Sequence, residues 1–272
     1  MITRNLEEAR KAYVSGDVQA SKEAHVGLRD EEGRVLKTHK EKHKEGGEFL
    51  KSAVYGGLDG IITTYSVVMG SAGASFNLGI VLILGISNMI GDGISMGLGD
   101  FLSSKSEIEY RRKEQKREEW EIENNPEGEK LEMAEVYKER GFSAEDAKVM
   151  SETIAKSKKA WVEIMMVEEL GLVDSDESPA KNGIVTFIAF MVFGIIPLLP
   201  FIVAKISGLE NGLFVASTVL TGFTLFFMGV IKVLFTMRTW YVSGGETLLI
   251  GAFVAAATYL IGWGIESSLN NK

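Results

Sequence analysis

The stretch of sequence that decides the fold is Val54–Ser104, VYGGLDGIITTYSVVMGSAGASFNLGIVLILGISNMIGDGISMGLGDFLSS. It contains two apolar segments that are joined by an uncharged loop, GSAGASFN. Each segment has about the ~20 residues that a helix needs to cross the roughly 30 Å hydrocarbon core of a bilayer. We therefore predict that this stretch forms a pair of membrane-spanning helices.

Polar side chains lie inside these two apolar segments. Asp59 falls in the first segment, and Asn88, Asp92 and the thioether of Met96 fall in the second. An ionised side chain at membrane depth costs at least ~2.5 kcal/mol and usually marks an ion or proton path. We predict that Asp59, Asn88, Asp92 and Met96 line such a path.

Glycines recur at helical spacing in the same segments. Gly56 and Gly60 are four residues apart, and so are Gly93 and Gly97. This spacing lets helix backbones approach closely in lipid, whereas each glycine in a soluble helix would cost about 1 kcal/mol relative to alanine. The pattern predicts tight helix packing, with flexibility around a path as the alternative.

Three more stretches of about 20 residues carry almost no charge in the second half of the chain. They are residues 182–204, 211–231 and 247–265. Together with the opening pair they predict an all-α membrane protein with five transmembrane helices. The predicted division is a polar leader (1–50), the first two spans (51–104), a charged helical region (105–181) and three further spans (182–268).

The scarcity of reactive side chains excludes several classes of protein. The chain has no cysteine, which excludes disulfides and thiolate metal sites. Its three histidines, His25, His39 and His43, all precede the first span, so a Ser-His-Asp apparatus in the membrane is excluded. No cleavable signal peptide is visible, and the first span is expected to act as an internal signal-anchor.

Basic residues predict the orientation in the membrane. Lys and Arg are frequent in the leader and after the second span, and positively charged loops stay in the cytosol. The amino terminus and the charged region should therefore be cytosolic, and the carboxyl terminus lumenal or external. His39 and His43 belong to a basic run that we interpret as solvated near anionic lipid headgroups, with a shared metal as the alternative.

The charged region should fold into three helices, and it carries most of the chain's net charge of −8. The first helix continues the second span to about Glu123, where two asparagines and Pro126 end it. The second helix runs from Pro126 to about Arg140, ahead of Gly141. Ser143 caps a third helical stretch that extends to Leu170, with an interruption near Ser157 left open.

Acidic residues in these helices are spaced to share a face, as residues three or four apart do. Two pairs of glutamates lie three residues apart, and WVEIMMVEEL brings two methionines and a glutamate into one turn. The candidate ligands are Glu118, Glu121, Glu129, Glu132, Met165, Met166 and Glu169. Carboxylates with thioethers suit a borderline transition ion such as ferrous iron. The alternative is a solvated surface laced by ion pairs.

Four motifs, in order, resemble the vacuolar iron transporter family: YGGLDGIITT, ISMGLGDFLSSKSE, KREEWEIE with a following proline, and MMVEELGL. The leader resembles that of the unicellular-parasite branch. The resemblance implies a five-span homodimer that moves ferrous iron from the cytosol into a storage compartment in exchange for protons. It places the path aspartate at Asp59, the path methionine at Met96, and the cytosolic metal ligands on the glutamates and methionines given above.

One departure concerns proton coupling, because plant members carry glutamate where this chain has Asn88, while Asp92 follows one turn later. The expected partners are divalent metal ions and the lipid bilayer, without nucleic acid or a prosthetic group. The expected location is a vacuole or related acidic storage organelle, with the endoplasmic reticulum as an alternative. Two other interpretations are a membrane-anchored metal sensor or buffer and a transporter for manganese or another divalent metal; a membrane enzyme is disfavoured.

Overall fold

The structure is a computed structural model that describes residues 6–25, 47–173, 178–208, 211–235 and 238–270. These residues form helices and loops and contain no β-strand, which confirms the all-helical prediction. Contacts divide the chain into two compact units, Met1–Gly47 and Glu48–Lys272.

The described residues of the first unit, 6–25, form two short helices, α1 (Leu6–Ser15) and α2 (Val18–His25). Asp17 caps α2, because its carboxylate accepts hydrogen bonds of 3.0 Å from the backbone N–H groups of Gln19 and Ala20. Both helices lie in the predicted polar leader (1–50). His39 and His43 lie outside the described residues.

Nine further α-helices follow within the described ranges, and they belong to the second unit apart from Gly47, the first residue of α3. They are α3 (Gly47–Gly73), α4 (Leu78–Asn124), α5 (Pro126–Glu139), α6 (Ala144–Ile154), α7 (Lys158–Glu168), α8 (Pro179–Gly194), α9 (Leu199–Ser207), α10 (Leu213–Ile231) and α11 (Trp240–Asn270). A 3-10 turn at Ile196–Leu198 separates α8 from α9, where Pro197 and Pro200 lack the backbone N–H that a continuous helix needs.

Helix α3 lies between α8 and α11, and glycines make both approaches possible. A Cβ atom at Gly60 would lie 2.4 Å from the backbone oxygen of Phe190 in α8. A Cβ at Gly73 would lie 2.1 Å from the backbone oxygen of Tyr259 in α11. Since real Cβ contacts are never this short, the predicted close packing of α3 is confirmed.

Helix α4 is 47 residues long and therefore spans about 70 Å. Its apolar first half packs on α8, where a Cβ at Gly97 would lie 2.9 Å from the backbone oxygen of Gly183. A span needs only about 20 residues, so the heavily charged half after Leu102 extends beyond a bilayer. The predicted continuation of the second span into the charged region is confirmed.

Four helical segments of the described chain are long and apolar enough to cross a membrane by length and composition. They are Leu78–Asn124, Pro179–Ser207, Leu213–Ile231 and Trp240–Asn270. Helix α3 is not among them, although it has 27 residues. Asp59, its glycines and a run of threonine, tyrosine and serine after Ile62 lower its mean hydropathy.

The charged region packs α5, α6 and α7 against the end of α4 around one apolar core. The local signals are confirmed: Asn125 caps α5, Gly141 has a φ of +97°, and Ser143 caps α6. The third helical stretch is broken, because α6 ends at Ile154 and Ser157 caps a separate α7. The region therefore contains three helices in addition to the extension of α4.

Candidate functional site

Polar side chains from α3 and α4 meet within the apolar part of the structure. Asp59 of α3 is half-buried and close enough to Asp92 of α4 for their charges to interact. The amide of Asn88 donates a hydrogen bond of 2.6 Å to the Asp92 carboxylate. The structure therefore brings together three of the four residues that the sequence singled out in this pair of helices.

Met96 extends this polar row along α4. Asn88, Asp92, Met96 and Asp100 follow one another at intervals of four residues, and all four are half-buried. Four residues of helix rise about 6 Å, so these side chains follow one face of α4. The row provides oxygen and sulfur atoms at regular steps over most of the apolar half of the helix.

A cavity of about 500 Å³ opens between α3, α4 and α8 where the apolar half of α4 ends. Met96 and Asp100 line it, together with Glu107, Asn182 and Thr186. The Thr186 hydroxyl donates a hydrogen bond to the Asp100 carboxylate. The cavity therefore joins the polar row to the beginning of the charged half of α4.

Asp100 and Glu107 are absent from the candidate residues drawn from the sequence. Asp100 continues the four-residue spacing of Asn88, Asp92 and Met96, and that spacing is the signal that could have identified it. Asn182 and Thr186 are also four residues apart and face the cavity from α8. No local sequence signal connects α8 to α4, because this contact depends on tertiary packing.

Five predicted glutamates form one electrostatic cluster in the charged region. Glu118 and Glu121 come from α4, Glu129 and Glu132 from α5, and Glu169 from the carboxyl end of α7. Glu118 and Glu129 are 1% and 4% exposed, whereas Glu132 and Glu169 are exposed. The cluster therefore has a buried side and a solvent side, unlike a fully solvated surface.

The pKa values in this cluster are raised by burial and by mutual repulsion. Burial raises the pKa of Glu118 to about 7, with Glu169 adding to the rise and Arg117 opposing it. Burial likewise raises the pKa of Glu129 to about 7, and Glu132 adds the largest charge effect. Burial and the charge of Glu132 also raise the pKa of Glu169. A bound cation would therefore favour the ionised form of these carboxyl groups, because it offsets their mutual repulsion.

Arg117 is a cation that pairs with two of these glutamates. Its guanidinium forms ion pairs of 3.0 Å with Glu118 and with Glu121, and one of 2.9 Å with Glu114. The second carboxylate oxygen of Glu118, Oε2, is buried and has no hydrogen-bond partner in the described part of the chain. An arginine therefore satisfies part of the cluster, and one buried oxygen remains available.

The two candidate methionines lie deeper than the glutamates. Met165 and Met166 are each 1% exposed and belong to the apolar core with Ile122, Met133 and Trp161. Buried thioethers are weak hydrogen-bond acceptors and pack well against aromatic and aliphatic side chains. Their position is explained by core packing, and a ligand role for them stays a prediction.

No three Asp, Glu or His side chains of the described residues converge to hold a metal ion. Repulsion between carboxylates and the ion pairs of Arg117 both oppose such convergence. The cluster would therefore have to contract around a cation, with the Arg117 pairs rearranged. The predicted metal-binding role of the five glutamates also stays a prediction.

Comparisons with known proteins cover most of the chain. Residues 50–263 match the VIT family. The vacuolar iron transporter of Toxoplasma gondii is 42% identical over 237 residues, which are 84% of this chain and 78% of the relative. The vacuolar iron transporter of Plasmodium falciparum is 36% identical over 279 aligned positions, which cover 99% of this chain and 100% of the relative. Vacuolar iron transporter 1 of Arabidopsis thaliana is 35% identical over 237 residues, which cover 87% of this chain and 94% of the relative. The family is one of transporters and not of enzymes, and this chain belongs to the VIT family.

Proposed function

We propose that this protein is a membrane transporter that moves ferrous iron from the cytosol into a vacuole-like storage compartment, in exchange for protons. The relatives are named vacuolar iron transporters. The observation that carries the proposal is the polar row Asn88–Asp92–Met96–Asp100, which lies opposite Asp59 in an otherwise apolar part of the structure. A membrane anchor has no need for such a row, because each buried charge in lipid is costly.

In this proposal α3 is the fifth membrane span. It is long enough at 27 residues, and its glycines Gly60 and Gly73 lie against the backbones of α8 and α11. Helices that are surrounded by protein can carry polar groups that would be too costly against lipid. With five spans the two termini would lie on opposite sides of the membrane, and the basic residues of the leader and of the charged region favour a cytosolic amino terminus.

The metal route begins at the acidic cluster and ends at the row on α4. One continuous helix, α4, connects Glu118 and Glu121 to the cavity around Asp100. Met96 lines that cavity, and its sulfur favours a softer ion such as ferrous iron over magnesium or calcium. The glutamates would collect the ion, and Met96 and Asp59 would carry it across the membrane.

Proton exchange requires a group in the path that can bind a proton. Because Asn88 is an amide, it cannot take this role. Its hydrogen bond to Asp92 places a carboxylate one turn farther along the same face. We assign the coupling group to Asp92, with Asp59 as the residue shared by metal and proton.

A homodimer would enclose the path on its open side. Ser87, Gly91, Ser95 and Gly99 are all exposed on α4, again four residues apart. A Cβ atom at Gly91 or Gly99 would meet no other atom within 4 Å. Small residues at this spacing are typical of helix pairs that pack closely in membranes, and a second α4 fits this surface.

The test is ferrous iron uptake by the purified full-length protein in liposomes. Asp59→Asn and Asp59→Ala should each abolish uptake while leaving the folded protein intact, since both remove the charge. The control is Glu266→Gln, which changes a half-buried carboxylate near the end of α11 that accepts a hydrogen bond from Asn270.

Three results would change the proposal. Normal uptake by Asp59→Asn would remove Asp59 from the path. Iron binding without any flux would favour a membrane-anchored sensor or buffer. Faster uptake of Mn²⁺ than of Fe²⁺ would reassign the main substrate.

A further inference from the structure

Arg117 is paired with two of the five glutamates that are proposed as metal ligands. Its guanidinium lies 3.0 Å from the carboxylates of Glu118 and Glu121. Glu118 is 1% exposed, and its second oxygen, Oε2, has no hydrogen-bond partner among the described residues. Two of the five proposed ligands are thus already paired with a positive charge.

A guanidinium and a divalent ion compete for the same carboxylate electrons. Arginine stays protonated at every physiological pH, and its planar fork matches carboxylates well. A metal ion could bind Glu118 through its free Oε2, but both oxygens of Glu121 accept hydrogen bonds from Arg117. A metal ion that also uses Glu121, or both oxygens of Glu118, therefore has to displace or reorient Arg117. Binding releases the arginine in the same step in which the ligands are engaged.

Arg117 has an alternative partner that makes this release feasible. Glu114 lies one turn toward the membrane on α4 and contacts the arginine at 2.9 Å. It is not one of the proposed ligands, so that ion pair can persist when the other two break. The Arg117 side chain is also 45% exposed, which gives it room to move toward solvent.

We propose that Arg117 is a tethered competitor for the metal site: it holds Glu118 and Glu121 while the cluster is empty and gives them up when a divalent cation binds. The inference rests on the proposed metal-collecting role of the cluster. Its consequence is a lowered affinity, so that an ion captured in the cytosol can leave for the path. A cluster of five glutamates without the arginine would retain the ion more strongly.

The first test measures Mn²⁺ binding to the full-length protein in detergent micelles or lipid nanodiscs, with Fe²⁺ under anaerobic conditions as a second probe. Arg117→Gln should tighten Mn²⁺ binding about tenfold, which corresponds to roughly 1.4 kcal/mol. The matched control is Arg112→Gln, which removes the same charge from an exposed position on α4. Unchanged or weaker binding by Arg117→Gln, relative to this control, would overturn the proposal.

A second measurement needs no variant and therefore does not depend on folding of Arg117→Gln. An arginine-selective dicarbonyl reagent is applied to the wild-type protein with and without Mn²⁺, and the labelled peptides are quantified by mass spectrometry. Mn²⁺ should increase the labelling of Arg117 severalfold and leave Arg112 unchanged. Equal labelling of Arg117 in both states would overturn the proposal.

Failure of this inference can be told apart from failure of the proposed function. If wild-type protein binds neither Mn²⁺ nor Fe²⁺, the metal-collecting role of the cluster is wrong, and the inference falls with it. If the wild type binds metal but Arg117→Gln and the labelling show no effect, only the role of Arg117 is wrong.

Discussion

Lowering the pH from 8 to 6 should sharply weaken metal binding by the acidic cluster. Burial and neighbouring carboxylates raise the pKa of Glu118 and of Glu129 to about 7. A carboxyl group has to be deprotonated to bind a metal ion. A group with that pKa is roughly 90% deprotonated at pH 8 and roughly 10% at pH 6. Each of the two therefore contributes about a tenfold loss of affinity, and together they give up to ~100-fold.

The same pKa values determine how the metal-free protein responds to pH. In the unfolded chain these carboxyl groups have their ordinary pKa of 4.5 and lose their protons above that pH. In the folded chain they keep their protons up to about pH 7, because their pKa is raised. The stability of the metal-free region therefore falls as the pH rises from about 4.5 to about 7 and then levels off. Bound metal should reverse this loss, because it neutralises the ionised carboxylates.

The assay is a titration of the full-length protein with Mn²⁺ at pH 6, 7 and 8, because Mn²⁺ does not oxidise readily in this range. Glu129→Gln should reduce the difference between pH 8 and pH 6 to about tenfold, since one titrating ligand remains. Glu163→Gln, an exposed change on α7, should keep the full difference. A change of less than threefold for the wild type would refute the assignment of the buried glutamates as ligands.

Two further predictions concern the membrane helices. Gly60→Ala should reduce the yield of folded protein, because the new Cβ would lie 2.4 Å from the Phe190 backbone oxygen. Gly264→Ala is the control and should be tolerated, because its Cβ would meet no atom within 4 Å. Equal yields of the two variants in size-exclusion chromatography would contradict this packing. Met96→Leu keeps volume and apolarity but removes sulfur, so a ligand role predicts that both Met96→Leu and Met96→Ala fold but lose most iron uptake. Normal uptake by Met96→Leu, together with poor folding of Met96→Ala, would show that the residue only packs.

Local signals in the sequence predicted several helix ends correctly. Asn125 and Pro126 separate α4 from α5, and Ser143 begins α6, because capping and proline geometry depend on neighbouring residues. The break before α7 was left open, since the segment around Ser157 has neither glycine nor proline. The sequence also did not predict α2, whose residues are polar and whose helix depends on the cap by Asp17.

Tertiary packing explains what the sequence left undetermined in the site. Helical spacing predicted that the five glutamates share one side of the charged region, and the structure places them in one electrostatic cluster. Spacing does not predict depth, so the burial of Glu118 and Glu129 could not be distinguished from the exposure of Glu132. Asp100 continues the spacing of Asn88, Asp92 and Met96, but its hydrogen bond to Thr186, 86 residues away in sequence, depends on tertiary packing.

The most direct test of the central claim is ion flux through the purified protein in sealed liposomes. Ferrous iron is added outside, a pH gradient is imposed with the interior acidic, and internal iron and internal pH are followed together. The proposal predicts iron accumulation that depends on the gradient, with protons leaving as iron enters. Iron binding without accumulation, with or without the gradient, would contradict it.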